Sequence, residues 1–178
     1  MSRTPKPEPG WAQVKARLTT LDQAALMVLI RDLHDASKEN RIFLHSRLGL
    51  TADPLKHYKE AVDRWMWPDV LRREMPSAAK AKQAIADYRK AIGDPRDLAE
   101  LMVFFCERGT GFSADVGFDN ESFLNALWRM FEQAMKVVKG LPEKERVPFL
   151  TRLHKVQEKS KRLSYGICDI MADLLASR

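Results

Sequence analysis

An all-α fold is what this 178-residue chain predicts: stacked antiparallel helix hairpins forming an irregular bundle or short α-solenoid of about seven to nine helices. Three observations predict it. Helix-start residues recur along the chain. Thr20-Leu21-Asp22-Gln23 has the form of a capping box, while Asp53-Pro54 and Asp94-Pro95 each set an N-cap acceptor before a proline, whose missing N–H is harmless at the first helical position. Helix-stop residues answer them: Gly49, Gly93, Gly109 and Gly140 each follow an apolar-periodic run, where a left-handed residue is wanted. Between these signals no segment shows the alternation of a strand.

The elements follow in order. Trp11 to Arg17 suits a short lead-in helix, and a stronger one follows Thr20, with Leu21, Ala25, Val28, Leu29 and Leu33 at three- and four-residue steps. It pauses near Ser37, after which Ile42, Phe43 and Leu48 define a second helix ending at Gly49. Asp53-Pro54 opens a helix through Tyr58, Val62 and Trp65 that Pro68 breaks, because proline forces the preceding residue out of helical geometry. Ser77 caps an alanine-rich helix with Ala81, Ile85, Tyr88 and Ile92 on one stripe. Asp94-Pro95 begins the next, facing Leu98, Leu101, Met102 and Phe105 inward. Gly109–Asn120, with three glycines and Asp119-Asn120, is expected to be a loop. Phe123, Leu127, Met130, Phe131, Ala134 and Val138 then mark an amphipathic helix ending at Gly140. The helix after Leu141-Pro142 contains Pro148, which predicts a kink or a delayed start. Gly166 interrupts before a final helix carrying Ile167, Ile170, Met171 and Leu174. Leu18–Lys38 aligns on Leu141–Lys161, but helical periodicity alone produces such a match and no third copy supports a solenoid repeat.

Residues 1–10, with three prolines, read as a flexible tail rather than a secretory signal or anchor, and residues 11–178 as a single helical domain. The longest uncharged apolar stretch, Ala24 to Ile30, is far shorter than the ~20 residues that span a bilayer. Integral membrane association is therefore not expected. Cys106 and Cys168 are too few for a disulfide framework, so a reducing, cytoplasmic setting is the expectation. The formal charge of +6 is concentrated: residues 136–162 hold nine Lys/Arg and three Glu, and elsewhere the charges cancel.

Several phrases carry a family resemblance. They are Ala81-Lys82-Gln83-Ala84-Ile85-Ala86-Asp87-Tyr88-Arg89-Lys90-Ala91, Leu101-Met102 with Glu107-Arg108-Gly109-Thr110-Gly111-Phe112, and Ser122-Phe123-Leu124-Asn125-Ala126-Leu127 with Met130-Phe131-Glu132 and Leu141-Pro142-Glu143. Together they resemble a group of small bacterial all-helical proteins catalogued as a domain of unknown function, over most of residues 18–170. Val147-Pro148 departs from that group's pattern. The resemblance implies an all-helical fold and brings no activity, ligand or catalytic residue.

No catalytic signature is present: no phosphate-binding glycine loop, no paired histidines flanking a glutamate, no nucleophile elbow. His34 and His45 could meet across a hairpin, beside Asp35 or Glu39. Exposed or helix-capping histidines are commoner, however, and a metal site needs three or four convergent ligands, so neither metal nor cofactor is assigned. Asp115, Asp119, Asn120 and Glu121 offer oxygens without the spacing of a calcium loop, and helix capping accounts for their types. Phe112 and Phe118 would pin that loop to the core.

The basic segment is the best lead. At 100° per residue, Lys144, Arg152, Lys155, Lys159 and Arg162 fall within an arc of roughly 80°, beside the arc of Phe149, Leu153 and Val156. Trp65 and Trp67 flank Met66, one expected in the core and Trp67 taken as a candidate contact. These features point to a non-enzymatic interaction module that engages an acidic protein partner through its basic helix face. Two alternatives remain. One is nucleic-acid binding along the same stripe. The other is an enzyme built around Gly109–Asn120, with Asp115, Asp119 or His34 as acid–base groups. A homodimer would cover any apolar stripe left bare.

Overall fold

Short polar side chains start most of the helices, and their cap bonds place the elements. In the computed structural model, which describes residues 9–177, Asp22 accepts from the Ala25 amide, Ser37 from Asn40, Ser77 from Lys80, Asp94 from Asp97 and Asn120 from Phe123. The α-helices are α1 (Trp11–Leu18), α2 (Gln23–Ala36), α3 (Lys38–Arg47), α4 (Lys56–Met66), α5 (Ala78–Ala91), α6 (Pro95–Val116), α7 (Glu121–Lys139), α8 (Glu143–Ser160) and α9 (Ile167–Ala176), with one 3-10 turn at Val70–Arg72. Among the described residues there is no strand, so the fold is all-α with nine α-helices. Apart from Pro9 and Gly10, the tail expected over residues 1–10 lies outside the described residues.

Some boundaries depart from the sequence reading. Thr20 is not the cap of α2: its hydroxyl donates to the Arg17 carbonyl, finishing α1, and Asp22 takes the cap two residues later. Asp53 accepts from the Leu55 and Lys56 amides in a turn that leads into α4. Gly49 and Gly93 adopt the expected left-handed conformation, whereas Gly140 ends α7 at φ −77° and so does not need to be glycine for its φ. The start of α8 is not delayed by Pro148. The helix begins at Glu143 and runs through it, with Val147 and Pro148 both exposed.

The largest correction concerns Gly109–Asn120. Residues 109–116 are the last two turns of α6, which reaches Val116 and stops at Gly117, φ +71°. Gly109 and Gly111 are small for a packing reason. A Cβ on Gly109 would lie 2.3 Å from Leu127 Cδ2 and 2.5 Å from Met66 Cε, and one on Gly111 would lie 2.6 Å from Trp67 Cζ3. The two glycines let α4 and α7 approach the α6 backbone.

The chain divides into two compact units, residues 1–50 and 51–178, within the span read from sequence as one domain. In the second, α6 is the central rod, packed against α4, α5, α7 and α8, while α9 rests on α7 and α8. Its core holds Tyr88, Phe105, Phe112, Phe131, Leu101 and Leu127, all essentially inaccessible. In the first, α2 packs along α3 as a hairpin, and none of α1–α3 contains a buried residue.

Candidate functional site

The basic face is built on α8, which packs against α6 and buries Phe149, Leu153 and Val156. That contact brings Arg152 opposite two glutamates of α6 spaced seven residues apart, hence on one helical face. Arg152 donates to Glu107 through two parallel bonds, Nε to Oε1 and Nη2 to Oε2, each 2.7 Å, and its Nη1 reaches Glu100. Lys59 of α4 pairs with the other Glu100 oxygen at 2.7 Å. The bidentate fork suits guanidinium and carboxylate. Burial raises the Glu100 carboxyl, but bonds from Arg152 and Lys59 outweigh it and hold the group below its ordinary range. The bonds to Glu107 lead in pushing Arg152 further up. Arg152 therefore fastens α4, α6 and α8 together.

The rest of the stripe divides. Lys159 pairs with Asp115 at 2.9 Å, a residue formerly assigned to a loop. Lys144 and Lys155 are exposed on α8 with no ion-pair partner among the described residues. Arg162 is exposed and likewise unpaired, but it lies in the turn beyond Ser160, so helical spacing does not set its direction. Of the five cations grouped from sequence, three face solvent unpaired. Trp67 packs in the body, edge-on to Phe112 at 6.1 Å between ring centres, with the Arg108 guanidinium 4.3 Å from its own centre. Trp65 is half-buried, as Trp67 is, with the Lys80 ammonium 3.9 Å from its ring.

The enzyme alternative loses the loop it was built on. Asp119 accepts from the Ser164 hydroxyl at 2.8 Å, Asn120 caps α7, and Phe112, Phe118 and Phe123 form an aromatic cluster that closes the α6–α7 turn. Cys106 is fully enclosed, and burial pushes its thiol well above the usual range, the opposite of what a nucleophile requires.

The hairpin carries what the charge pattern did not reveal. Met27, Val28, Ile30 and Leu33 of α2 are 59, 57, 43 and 50% exposed, and Leu48 and Leu50 after α3 are 66 and 69%. Ala24–Ile30, too short for a membrane span and the source of the stripe residues Ala25, Val28 and Leu29, is a run of seven apolar residues that surrounds the first half of α2, before Arg31 and Asp32. In agreement with that length, no helix among the described residues is long and apolar enough to cross a membrane. His34 and His45 do meet across the hairpin, Nε2 to Nε2 at 3.3 Å, and Asp35 Oδ1 lies 2.8 Å from His34 Nδ1. Among the described residues no group of three His, Cys, Asp or Glu side chains is placed to hold a metal ion.

No protein-family model, curated protein or solved structure matches the chain.

Proposed function

We propose that the chain is a non-catalytic helical interaction module: a six-helix body carrying an apolar hairpin, α2–α3, as its docking element. One observation carries the reading. The hairpin presents large apolar side chains on a scale that isolated surface residues do not reach, in a unit with no buried residue among those described. Ala24–Ile30 surrounds the first half of α2 with apolar side chains, and a stretch apolar all round finds its stability in what packs on it.

The exposed, unpaired Lys144, Lys155 and Arg162 support a second, subsidiary surface for an acidic protein segment. With Arg152 and Lys159 engaged by carboxylates of the body, a continuous track for a phosphate backbone has less support than an acidic patch of limited size.

Affinity purification of the full-length chain from expressing cells tests the assignment. Leu33→Glu with Met27→Glu is expected to remove the co-purifying protein, including further copies of the chain, while Lys155→Glu with Arg162→Glu reduces only the acidic fraction. A hairpin variant that retains every partner overturns the reading.

A further inference from the structure

The paired histidines define the occupant of the hairpin more sharply than its apolarity does. A carboxylate only accepts, so the 2.8 Å contact places a proton on His34 Nδ1 and, in the neutral ring, leaves a lone pair on Nε2. That lone pair faces His45 Nε2 at 3.3 Å, with ring centres 5.4 Å apart. Two imidazoles on one tetrahedral ion, each ~2.0–2.1 Å from it, hold their nitrogens about 3.3 Å apart. A carboxylate on the far nitrogen of a ligating histidine fixes its tautomer and orientation, as Asp35 is placed to do here.

One chain supplies two such nitrogens, and a structural ion of this type takes four ligands. A two-fold axis through the ion supplies the other two from a second copy, because an isologous contact presents the same patch twice. The surroundings favour that occupant. His34 and His45 line a concavity of about 380 Å³ whose other walls are apolar, Met27, Val28, Ile30, Leu44, Leu48 and Leu50, except for Arg31. Met27, Val28, Ile30, Leu33, Leu48 and Leu50 are 43–69% exposed, apolar surface of the kind that the core of an interface between two copies covers.

We infer that His34 and His45 form half of a site for a divalent first-row transition ion that favours imidazole nitrogen, completed by the same pair from a second copy docked through α2–α3. The inference rests on the proposed docking role of the hairpin and names its occupant. Zinc bridges the two copies and adds no chemistry of its own.

Sedimentation of the untagged, chelator-stripped full-length chain, with and without Zn(II), provides the test. Zinc at micromolar concentration is expected to double the mass from 20.4 kDa, at one ion per two chains. Substituted Co(II) should show the intense visible bands of tetrahedral nitrogen ligation. His45→Gln, alone or with His34→Gln, should weaken the zinc response at least tenfold with the circular dichroism unchanged. Leu48→Glu should abolish the dimer while leaving the six-helix body folded. An unchanged mass with zinc, one ion per chain without association, or a zinc-driven dimer indifferent to both histidine substitutions each overturns the inference. If zinc has no effect but the Leu33→Glu, Met27→Glu chain still loses its partners, the metal-bridged dimer fails and the interaction module stands.

Discussion

Arg152 shows how much a single side chain can alter the meaning of a charge pattern. It belongs to the most basic segment of the chain, yet its guanidinium is spent on Glu107 and Glu100, and Lys59 completes the network from a third helix. The network is half-buried, so its members depend on one another: remove one and the rest keep their desolvation without their partner. The Glu100 carboxyl is held below its ordinary value of 4.5, so its contribution to stability is fully present above that pH and disappears as pH falls through the lowered value. Glu100→Gln is expected to cost about 1–3 kcal/mol at neutral pH in urea unfolding. The gap to the parent should narrow below pH 4.5, where the parent carboxylate gains its proton. A gap constant down to pH 3 would show that Glu100 does not act through its charge.

Helix α6 owes its position to residues that elsewhere end helices. Glycine is a poor helix former, and the sequence reading has Gly109 as a left-handed helix stop and Gly111 as part of a loop. Here close packing outweighs propensity, because α4 and α7 come so near that a methyl group has no room. Gly111 is the sharper case, since the atom it faces belongs to the rigid indole of Trp67. Gly111→Ala gains ~1 kcal/mol of helix propensity, against the 1–3 kcal/mol that overpacking typically costs. A net loss of about 1 kcal/mol is expected from chemical denaturation, with much of it recovered on adding Trp67→Leu, because residues in contact are not additive. The elements written in local chemistry were legible: Ser77 and Asp94 cap the helices assigned to them, the break expected near Ser37 falls at Ser37, and Gly166 separates α8 from α9. What was not legible was relational. Glycine in a helix contact has the same letter as glycine in a turn, and the cations of α8 could not be sorted into paired and free before Glu100, Glu107 and Asp115 had positions. The meeting of His34 and His45 was foreseeable because a hairpin of two short helices brings its arms together.

Across the whole chain the core is unevenly shared. The buried side chains run from Tyr58 to Met171, and α1–α3 contribute none. Residues 51–178 form a unit large enough to bury its own interior, whereas a lone hairpin does not bury enough apolar surface to offset its chain entropy. Expressed alone, residues 51–178 should unfold in one cooperative transition with a helical signal, and residues 1–50 alone should be mostly unstructured at low micromolar concentration by circular dichroism. A stable helical monomer from residues 1–50 would contradict this division. The division also bears on inheritance. If the hairpin is the docking element proposed above, substitutions in α2 and α3 that spare the fold of the body are selected through what the hairpin attaches to. On that reading, descendants of this gene could trade one attachment for another by drift in the 24 positions of these two helices, while the six-helix body persists unaltered.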